Sequence, residues 1–365
     1  MKEHIKLFTD PSWMPSQQSP CIWLAQLTWG QLTEDPIYQD MGRFDQFFEK
    51  LPEAIEWTAT REEADFWILP ADYKQYKRHK RLDILQSVVA LAMNEGKWPL
   101  IQYKDDGDDE IPFERLIVLR TSFYRHLGKA HEYAMPVWSE DIFKHYSLSL
   151  EAVNLEIPSI GFTGMASKLA GLHALSFELL LRWQLLKPNP DIAFTKRYSA
   201  AIRHKLLEHI KSDARIQSFF HLRNQYIGGS WLSKGQIDQR QYKAVRQDFI
   251  NNLREVDYIA DFRGGGNYTL RLYETLCAGR IPVMLDSDRV LPLEELIDWE
   301  KYMVIIPFPK LRQAHNILLS YHSEHAHQLA AIKSAIRKLW EDYIAPESYY
   351  KHLFIFLQSR YKDEK

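Results

Sequence analysis

The chain has 365 residues, of which 45% are hydrophobic and 26% are charged, and this balance is typical of a folded globular protein rather than a disordered one. Its 46 Lys and Arg residues against 48 Asp and Glu residues leave a net charge of -2, which argues against nucleic acid as the main partner. No apolar run reaches the roughly 18 residues that a membrane-spanning helix requires.

The first half of the chain alternates short apolar runs with helical patterns. Residues 64–70 (ADFWILP) and 115–122 (RLIVLRTS) have the composition of buried strands, and residues 98–110 (WPLIQYKDDGDDE) form a strand that runs into an acidic loop. Residues 82–96 show apolar side chains at helical spacing and end in a glycine. A strand, helix and strand in this order predict a parallel sheet covered by helices.

A second alternating series begins near Glu156. Its elements are a strand opening into a glycine loop (157–164), a polar, helix-rich region ending in a helix (200–210), a strand (216–222), a helix (242–256), a strand (257–262), a glycine-led helix, an apolar strand (280–285) and a long helical end that includes 329–344. We therefore expect an α/β protein of two doubly wound units with a ligand site in the cleft between them. The expected domains are 1–152, 153–335 and a C-terminal helical segment, 336–365, that packs back on the first domain.

Three consecutive glycines, Gly264, Gly265 and Gly266, stand immediately before an amphipathic helix at about 268–278. Glycine is costly to order, so a triplet indicates a need for bare backbone. A helix N-terminus preceded by such a loop favours a bound anion, because unpaired N–H groups and the helix dipole both point there.

The helix after the glycines has two faces. Leu272 and Leu276 predict its buried side, with Tyr273 and Cys277 extending it, and Gly279 suits its C-terminal cap. The charged residues that accompany the glycines are the candidate donor ligands: Arg263 and Arg271 for phosphate and Glu274 for ribose hydroxyls. The alternative interpretation is a tight turn followed by an Arg–Glu surface pair at i, i+3.

Two common glycine motifs do not match. The dinucleotide fingerprint G-x-G-x-x-G needs a glycine where Thr269 stands, and this disfavours a nicotinamide dehydrogenase. The phosphate-binding P-loop needs Gly-Lys-Ser/Thr after its loop, and the chain has none there.

Residues 262–288 (FRGGGNYTLRLYETLCAGRIPVMLDSD) and 291–307 (LPLEELIDWEKYMVIIP) resemble the exostosin family, glycosyltransferase family 47. The shared features are the glycine loop, Arg-x-x-Glu on a helix, a small-residue turn, Ile-Pro-Val, Leu-Pro and Asp-Trp. Weaker similarities lie at 62–70 and 159–164. The family often has a His-Asp segment where this chain has YKDDGD, so that Asp105 stands in place of the histidine.

The resemblance implies a GT-B fold, in which two Rossmann-like domains face each other and the second holds a nucleotide-sugar donor. It also implies inversion at the anomeric carbon. The donor-binding residues that we expect are Arg263, Gly264, Gly265, Gly266, Asn267, Tyr268, Arg271 and Glu274. Arg203 is a further candidate phosphate ligand, for which a structural role is the favoured alternative.

The catalytic base must come from elsewhere in the chain, because inverting transfer requires a group that takes the acceptor hydroxyl proton. Asp106 and its neighbour Asp105 end a predicted strand of the first domain and are the candidates. The alternative is a solvated acidic loop. Arg120 and Ser122 are weaker candidates for acceptor contacts and are better explained as structural.

Two further clusters have residue types that can bind metal ions. Asp286 and Asp288 form a D-S-D triplet that could hold Mg²⁺ or Mn²⁺ on a diphosphate, but Arg271 and the helix terminus can neutralise the diphosphate instead. His322, His325 and His327 do not share one helical face and are interpreted as a solvated helix surface. We expect no metal and no cofactor.

The sequence thus predicts an inverting glycosyltransferase that moves a sugar from a nucleotide sugar, preferably a UDP-sugar, to a surface polysaccharide or glycolipid. The other hypothesis is a non-catalytic nucleotide-sugar-binding partner subunit. With two widely separated cysteines and no signal-peptide pattern, the sequence favours the cytoplasm, with peripheral membrane association left open and no nucleic-acid partner.

Overall fold

The computed structural model describes residues 4–17, 19–22, 24–25, 51–230 and 238–361. The strands in these ranges are β1 Ile5–Phe8, β2 Ile55–Trp57, β3 Phe66–Ile68, β4 Trp98–Tyr103, β5 Ile117–Arg120, β6 Glu132–Ala134, β7 Ser159–Met165, β8 Gln217–Arg223, β9 Tyr258–Asp261, β10 Ile281–Leu285 and β11 Val304–Ile306. The α-helices, numbered here in chain order, are α1 Tyr73–Arg78, α2 Leu82–Asn94, α3 Ile142–His145, α4 Gly171–Gln184, α5 Ile192–Arg197, α6 Ser199–Lys211, α7 Gln239–Glu255, α8 Leu270–Cys277, α9 Ala314–His325, α10 Leu329–Leu339 and α11 Pro346–Tyr361.

The described residues group into two compact units. The first lies within Met1–Pro136, Val290–Leu296 and Asp342–Lys365, and the second within Val137–Arg289 and Ile297–Glu341. The two units are defined by which residues lie close together. They do not test the domain bounds derived from the sequence, which stay a prediction.

The first unit contains a parallel sheet with the strand order β2-β1-β3-β4-β5-β6. Helix α2 buries Leu85, Val88 and Ala92 against one face of the sheet, where Trp67 is also fully buried. Helix α11 adds a hydrogen bond from Gln102 Nε2 to the Tyr350 hydroxyl, 2.6 Å long. The aromatic side chains of Trp67, Tyr73, Tyr76 and Tyr103 are buried in this core.

The second unit contains another parallel sheet, with the order β11-β10-β9-β7-β8. The chain leaves β7 for β8 on one side and then crosses to β9, β10 and β11 on the other. The first sheet has the same kind of reversal between β1, β2 and β3. The prediction of an α/β protein with two doubly wound parallel sheets is confirmed.

At the amino edge of the second sheet, the chain is held by a buried carboxylate. Asp257, which precedes β9 and is fully buried, accepts hydrogen bonds from the Val153 N–H (3.0 Å) and the Ser159 hydroxyl (3.1 Å). Lys333 of α10, also fully buried, donates to it at 2.8 Å. Burial lowers the pKa of Lys333, and the charge of Asp257 opposes that shift.

Helix α8 begins within two residues of the predicted position. Leu272 and Leu276 are fully buried and Tyr273 and Cys277 nearly so, as their spacing predicted. Gly279 has a φ of 61°, the left-handed conformation expected just after a helix end. Among the described residues, no helix combines the length and the apolar character that crossing a membrane requires.

Candidate functional site

The strand order of the second unit marks one place for a ligand. In open parallel sheets, ligands bind outside the carboxyl ends of the strands at the point where the order reverses. Here that point lies between β7 and β9, which end at Met165 and Asp261. The glycine loop follows β9 directly, so the loop that the sequence singled out lies at the reversal point.

The loop is fixed at both ends by hydrogen bonds. The Gly264 N–H donates to the Tyr268 carbonyl over 3.2 Å, which closes the loop on itself. Thr269 caps α8, its hydroxyl oxygen accepting from the Leu272 N–H at 3.1 Å and donating to Asp261 at 2.5 Å. The end of β9 and the start of α8 are therefore held together through one threonine.

Within the described residues, none of the three loop glycines has a positive φ. A Cβ on Gly264 would meet only the Tyr268 carbonyl, at an ordinary contact distance of 3.8 Å. Neither a left-handed backbone nor close protein packing therefore requires glycine at that position. The missing side chain leaves open space in front of α8, as the approach of a bound group to the backbone would require.

Arg271 lies on the first turn of α8 and reaches back to the end of β7. Its Nη2 donates to the Thr163 carbonyl at 2.5 Å, and its guanidinium stacks 4.4 Å from the centre of the Phe162 ring. Its Nε is buried without a hydrogen-bond partner among the described residues. A Cβ on Gly164 would lie 2.5 Å from Nη2, so the end of β7 must carry glycine for Arg271 to occupy this position. Burial lowers the pKa of Arg271.

Arg203 of α6 ties the two strand ends together. Its guanidinium donates to the carbonyls of Met165, Phe262 (3.2 Å) and Arg263 (2.6 Å). Burial, with the nearby charge of Arg271, lowers the pKa of Arg203 to about 9. The sequence assigned Arg203 to phosphate; the structure places its donors on backbone carbonyls, where it positions the loop.

Two further arginines border the loop. Arg263 is fully buried and donates to the Thr195 hydroxyl (3.0 Å) and the Gly265 carbonyl (2.7 Å). Arg289, which follows β10, forms a buried ion pair with Asp261 at 2.8 Å. The sequence did not single out Arg289, because it lies far from the glycines along the chain.

Glu274 does not pair with Arg271. Its Oε1 accepts from Arg246 of α7 at 2.6 Å, and Arg246 also contacts Glu140 at 2.5 Å, all three side chains being largely buried. Burial alone would lower the pKa of Arg246, but the two carboxylates outweigh it and raise that pKa. The surface-pair interpretation of Arg271 and Glu274 is therefore wrong. Glu140 and Arg246 were missed because they lie in separate parts of the chain with no motif around them.

Five arginines belong to the site: Arg203, Arg246, Arg263, Arg271 and Arg289. Arg246 is paired with Glu140 and Glu274, and Arg289 with Asp261. Among the described residues, Arg203 and Arg271 contact neutral carbonyl oxygens rather than carboxylates. Arg203 is buried and Arg271 is partly buried. Guanidinium groups with such contacts favour a bound anion as a further partner.

The residues after the three glycines are built into the fold. Asn267 is fully buried and exchanges hydrogen bonds with Ser287: its Nδ2 donates to the Ser287 carbonyl (3.2 Å), and its Oδ1 accepts from the hydroxyl (2.6 Å). The Tyr268 carbonyl closes the glycine loop. Asp286 accepts from the Arg289 N–H at 3.3 Å, and Asp288 has a φ of 63°. In the part of the chain that the structure describes, no three His, Cys, Asp or Glu residues lie close enough to form a metal site.

The base candidates lie in the first unit, just past the carboxyl end of β4. Asp105 forms an ion pair with Lys74 at 2.8 Å and accepts from the Asp106 N–H at 2.7 Å, whereas the Asp106 side chain is exposed. Arg120 is committed to a buried ion pair with Glu132 at 2.7 Å, as its structural interpretation expected. Which carboxylate acts as base stays a prediction.

The histidine cluster separates in the structure. His322 is 4% exposed and lies 3.1 Å from the Tyr258 hydroxyl, whereas His325 contacts the Tyr321 carbonyl of its own helix. The interpretation of all three histidines as a solvated surface is wrong for His322, which helps to pack α9 against β9.

Comparison with known proteins locates a family domain on this site. Residues 192–321 match the exostosin GT47 domain, and that stretch contains the glycine loop and the arginines that follow it. Exostosin-1 of Drosophila melanogaster is 31% identical over 160 residues, which are 40% of this chain and 20% of that protein. Human exostosin-2 is 28% identical over 114 residues, which are 31% of this chain and 16% of that protein. The chain thus spans about a fifth or less of these relatives, and the predicted resemblance is confirmed for this segment.

Two solved structures align with a larger share of this chain, but at lower sequence identity. A point mutant of TarM from S. aureus, crystallised with fondaparinux, alpha-GlcNAc-glycerol and UDP, aligns with 83% of this chain and 51% of its own at 10% identity and a TM-score of 0.31. The pneumococcal O-GlcNAc transferase GtfA, in complex with UDP and GlcNAc, aligns with 82% of this chain and 45% of its own at 10% identity and a TM-score of 0.27. The fold assignment above rests on the two parallel sheets of the chain itself.

Proposed function

Because residues 192–321 match the exostosin GT47 domain, we propose that the protein is a glycosyltransferase that takes a sugar from a nucleotide-sugar donor. The observation that carries the proposal is the cluster of arginines at the strand-reversal point, inside the family segment, where Arg203 and Arg271 contact carbonyl oxygens rather than carboxylates among the described residues. Their positive charge, next to a glycine loop and a helix N-terminus, suits the dianionic diphosphate of such a donor.

Each group has a role in this proposal. Arg271, whose buried Nε has no hydrogen-bond partner among the described residues, binds the diphosphate, while Arg203 holds the loop carbonyls in place. Arg263 donates to Thr195 and Gly265, and its predicted contact with phosphate stays a prediction. Glu274 accepts from a ribose hydroxyl, held in position by its ion pair with Arg246. The preference for UDP rests on the family resemblance.

The proposed reaction is an inverting displacement. The acceptor hydroxyl attacks the anomeric carbon, the bond from that carbon to the diphosphate oxygen breaks, and the hydroxyl proton passes to a carboxylate that acts as base. The arginines stabilise the charge that develops on the leaving diphosphate, so no metal ion is required. Asp106 is the proposed base, because its side chain is exposed at the end of β4. A saccharide or glycolipid of a surface polymer is the proposed acceptor.

One observation favours a second function, a nucleotide-sugar-binding subunit without activity. Asp105 stands where the family often has histidine, and its carboxylate is already paired with Lys74. A chain with an intact donor site and no working base would bind the donor and not turn it over.

A panel of nucleotide sugars tests both functions. A ligand at about 100 times its dissociation constant should stabilise the folded protein by about 2.7 kcal/mol, which a thermal-shift assay detects. Donors that stabilise the protein are then assayed for hydrolysis and for transfer to saccharide acceptors. Turnover supports the enzyme, binding without turnover supports the inactive subunit, and the absence of binding by every nucleotide sugar and by free UDP and GDP would overturn both.

A further inference from the structure

Helix α4, Gly171–Gln184, is apolar on two opposite faces. Its inner face buries Phe177 and Leu181. Its outer face and the turn that follows expose large apolar side chains: Leu172 (83% exposed), Leu175 (64%), Leu179 (68%), Trp183 (56%) and Leu186 (83%). The spacing of these positions, three or four residues apart, places them along one continuous stripe.

The stripe differs from other exposed apolar side chains of the protein. Met93 and Leu127, for example, stand on separate elements of the first unit, and single exposed apolar residues are common on folded proteins. A contiguous exposed apolar stripe is uncommon, because a helix with apolar residues on all its faces is normally buried on all sides. The sequence predicted a polar, helix-rich region here; the helices are present, but the outer face of α4 is apolar rather than polar. The outer face of α4 therefore has the apolar composition of a binding surface.

The charge around the stripe indicates what covers it. Between residues 166 and 198 the chain has five Lys and Arg residues against two Asp and Glu residues, although the whole chain is slightly negative. Both of those carboxylates form ion pairs: Glu178 with Lys205 at 2.6 Å and Asp191 with Lys187 at 2.8 Å. The basic side chains that stand exposed beside the helix are Lys168, Arg182 and Arg197.

One pair of side chains points to a boundary between water and apolar material. The Lys187 ammonium lies 3.7 Å from the centre of the Trp183 ring, at the C-terminal end of the stripe. Trp with a neighbouring cation is typical of helices at the headgroup level of a bilayer, where the ring and the alkyl stem enter the apolar phase and the charge stays in water.

We propose that the outer face of α4 docks on the surface of an anionic phospholipid bilayer, with the helix lying in the plane of the headgroups. The leucines and Trp183 enter the acyl boundary and the surrounding basic residues face the lipid phosphates. A second copy of the chain fits the same face less well, because it would bring one basic rim against another. The proposal is independent of the glycosyltransferase function, since no residue of the stripe lies in the candidate site.

Co-sedimentation of the full chain with phosphatidylcholine vesicles, with and without phosphatidylglycerol, tests the proposal. We expect binding only where phosphatidylglycerol is present, weakening as salt is raised. The double variant Leu175→Gln/Leu179→Gln should bind these vesicles at least about tenfold more weakly, because two exposed leucines no longer enter the bilayer. Arg182→Gln/Arg197→Gln should weaken binding and reduce its salt dependence.

Met93→Gln, at a 54% exposed apolar residue of α2, is the matched control and should bind vesicles as the unaltered protein does. All variants should keep the thermal midpoint and the UDP affinity of the unaltered protein. These two measurements distinguish weaker membrane binding from unfolding of the protein or damage to the donor site. Equal sedimentation with and without phosphatidylglycerol would overturn the proposal, as would unaltered binding by the leucine variant. So would a dimer, seen by light scattering, that the leucine variant converts to monomer while vesicle binding is absent throughout.

Discussion

Replacing Arg271 with methionine should lower the affinity for the nucleotide without lowering the stability of the fold. Methionine keeps much of the length and apolar contact of the side chain but removes the guanidinium. In the free protein that group has one hydrogen bond, to the Thr163 carbonyl, a stacking contact with Phe162, and a buried Nε without a partner among the described residues. It is therefore a partly buried cation with no ion pair among the described residues.

The expected magnitudes follow from these contacts. The variant loses a charged hydrogen bond of about 1.5–3 kcal/mol and a cation–π contact of roughly 0.5–2 kcal/mol. It is also relieved of the desolvation of a partly buried charge that has no ion pair among the described residues, a cost of up to several kcal/mol. We expect the free energy of unfolding to stay within about 1 kcal/mol of the original or to rise. Affinity for UDP should fall by about 1.5–3 kcal/mol, roughly 10- to 150-fold, because a charged hydrogen bond to phosphate is lost.

Two measurements check this: urea unfolding followed by circular dichroism, and titration calorimetry with UDP. The matched control is Arg280→Met in the same unit. Arg280 precedes β10 and donates to the carbonyls of Leu253 (2.6 Å), Ser149 (2.9 Å) and Ala278 (3.0 Å), at the opposite edge of the sheet from the glycine loop. Burial lowers its pKa to about 10. Its loss leaves three buried carbonyls, so stability should fall by about 2 kcal/mol or more, with affinity for UDP retained.

The reasoning fails if Arg271→Met binds UDP as tightly as the unaltered protein. It also fails if Arg280→Met loses affinity to the same degree while still folded, because the loss would then reflect a general loosening of the unit. A large drop in stability for Arg271→Met would show that the arginine is structural.

Three other outcomes are expected. Glu274→Gln should weaken UDP binding by about 1.5–3 kcal/mol and narrow the difference between UDP and 2′-deoxy-UDP, since the carboxylate is proposed to accept from ribose; an undiminished difference would place ribose elsewhere. Transfer should survive EDTA, whereas complete loss with recovery on adding Mn²⁺ would make Asp286 and Asp288 metal ligands. Asp106→Asn should lower kcat by about 10²–10⁴-fold with UDP affinity nearly unchanged, and Asp105→Asn, at the carboxylate paired with Lys74, should lower it less. Near-native turnover in both variants would place the base elsewhere.

The parts of the fold that follow from local pattern were predictable. Alternating apolar strands and amphipathic helices require parallel sheets, and the glycine after Ala278 required a helix end with φ above zero. The buried face of α8 followed from the spacing of Leu272 and Leu276.

The parts of the site that depend on distant residues were not predictable. Arg271 and Glu274 are three residues apart and looked like a pair, but each has a nearer partner in space. Arg271 reaches Thr163, 108 residues earlier, and Glu274 meets Arg246, 28 residues earlier. No periodicity in one sequence encodes such contacts, since crossover connections determine which helix covers which strand end. The exposed stripe of α4 was missed for a different reason: periodicity shows that a helix has apolar positions, not whether the protein itself covers them.

The carboxylate at Asp257 has a consequence for altering the protein by directed evolution. It holds the amino end of β9 to residues 153 and 333, whereas Arg263 and the glycines lie at the other end of the same strand. Six residues of nearly extended chain separate Asp257 from Arg263, roughly 20 Å at about 3.3 Å per residue. Substitutions more than about 7–10 Å apart without shared partners are usually additive. Libraries that vary the loop from Gly264 to Tyr268 to change donor choice can therefore be recombined with stabilising changes around Asp257, and each set can be selected separately.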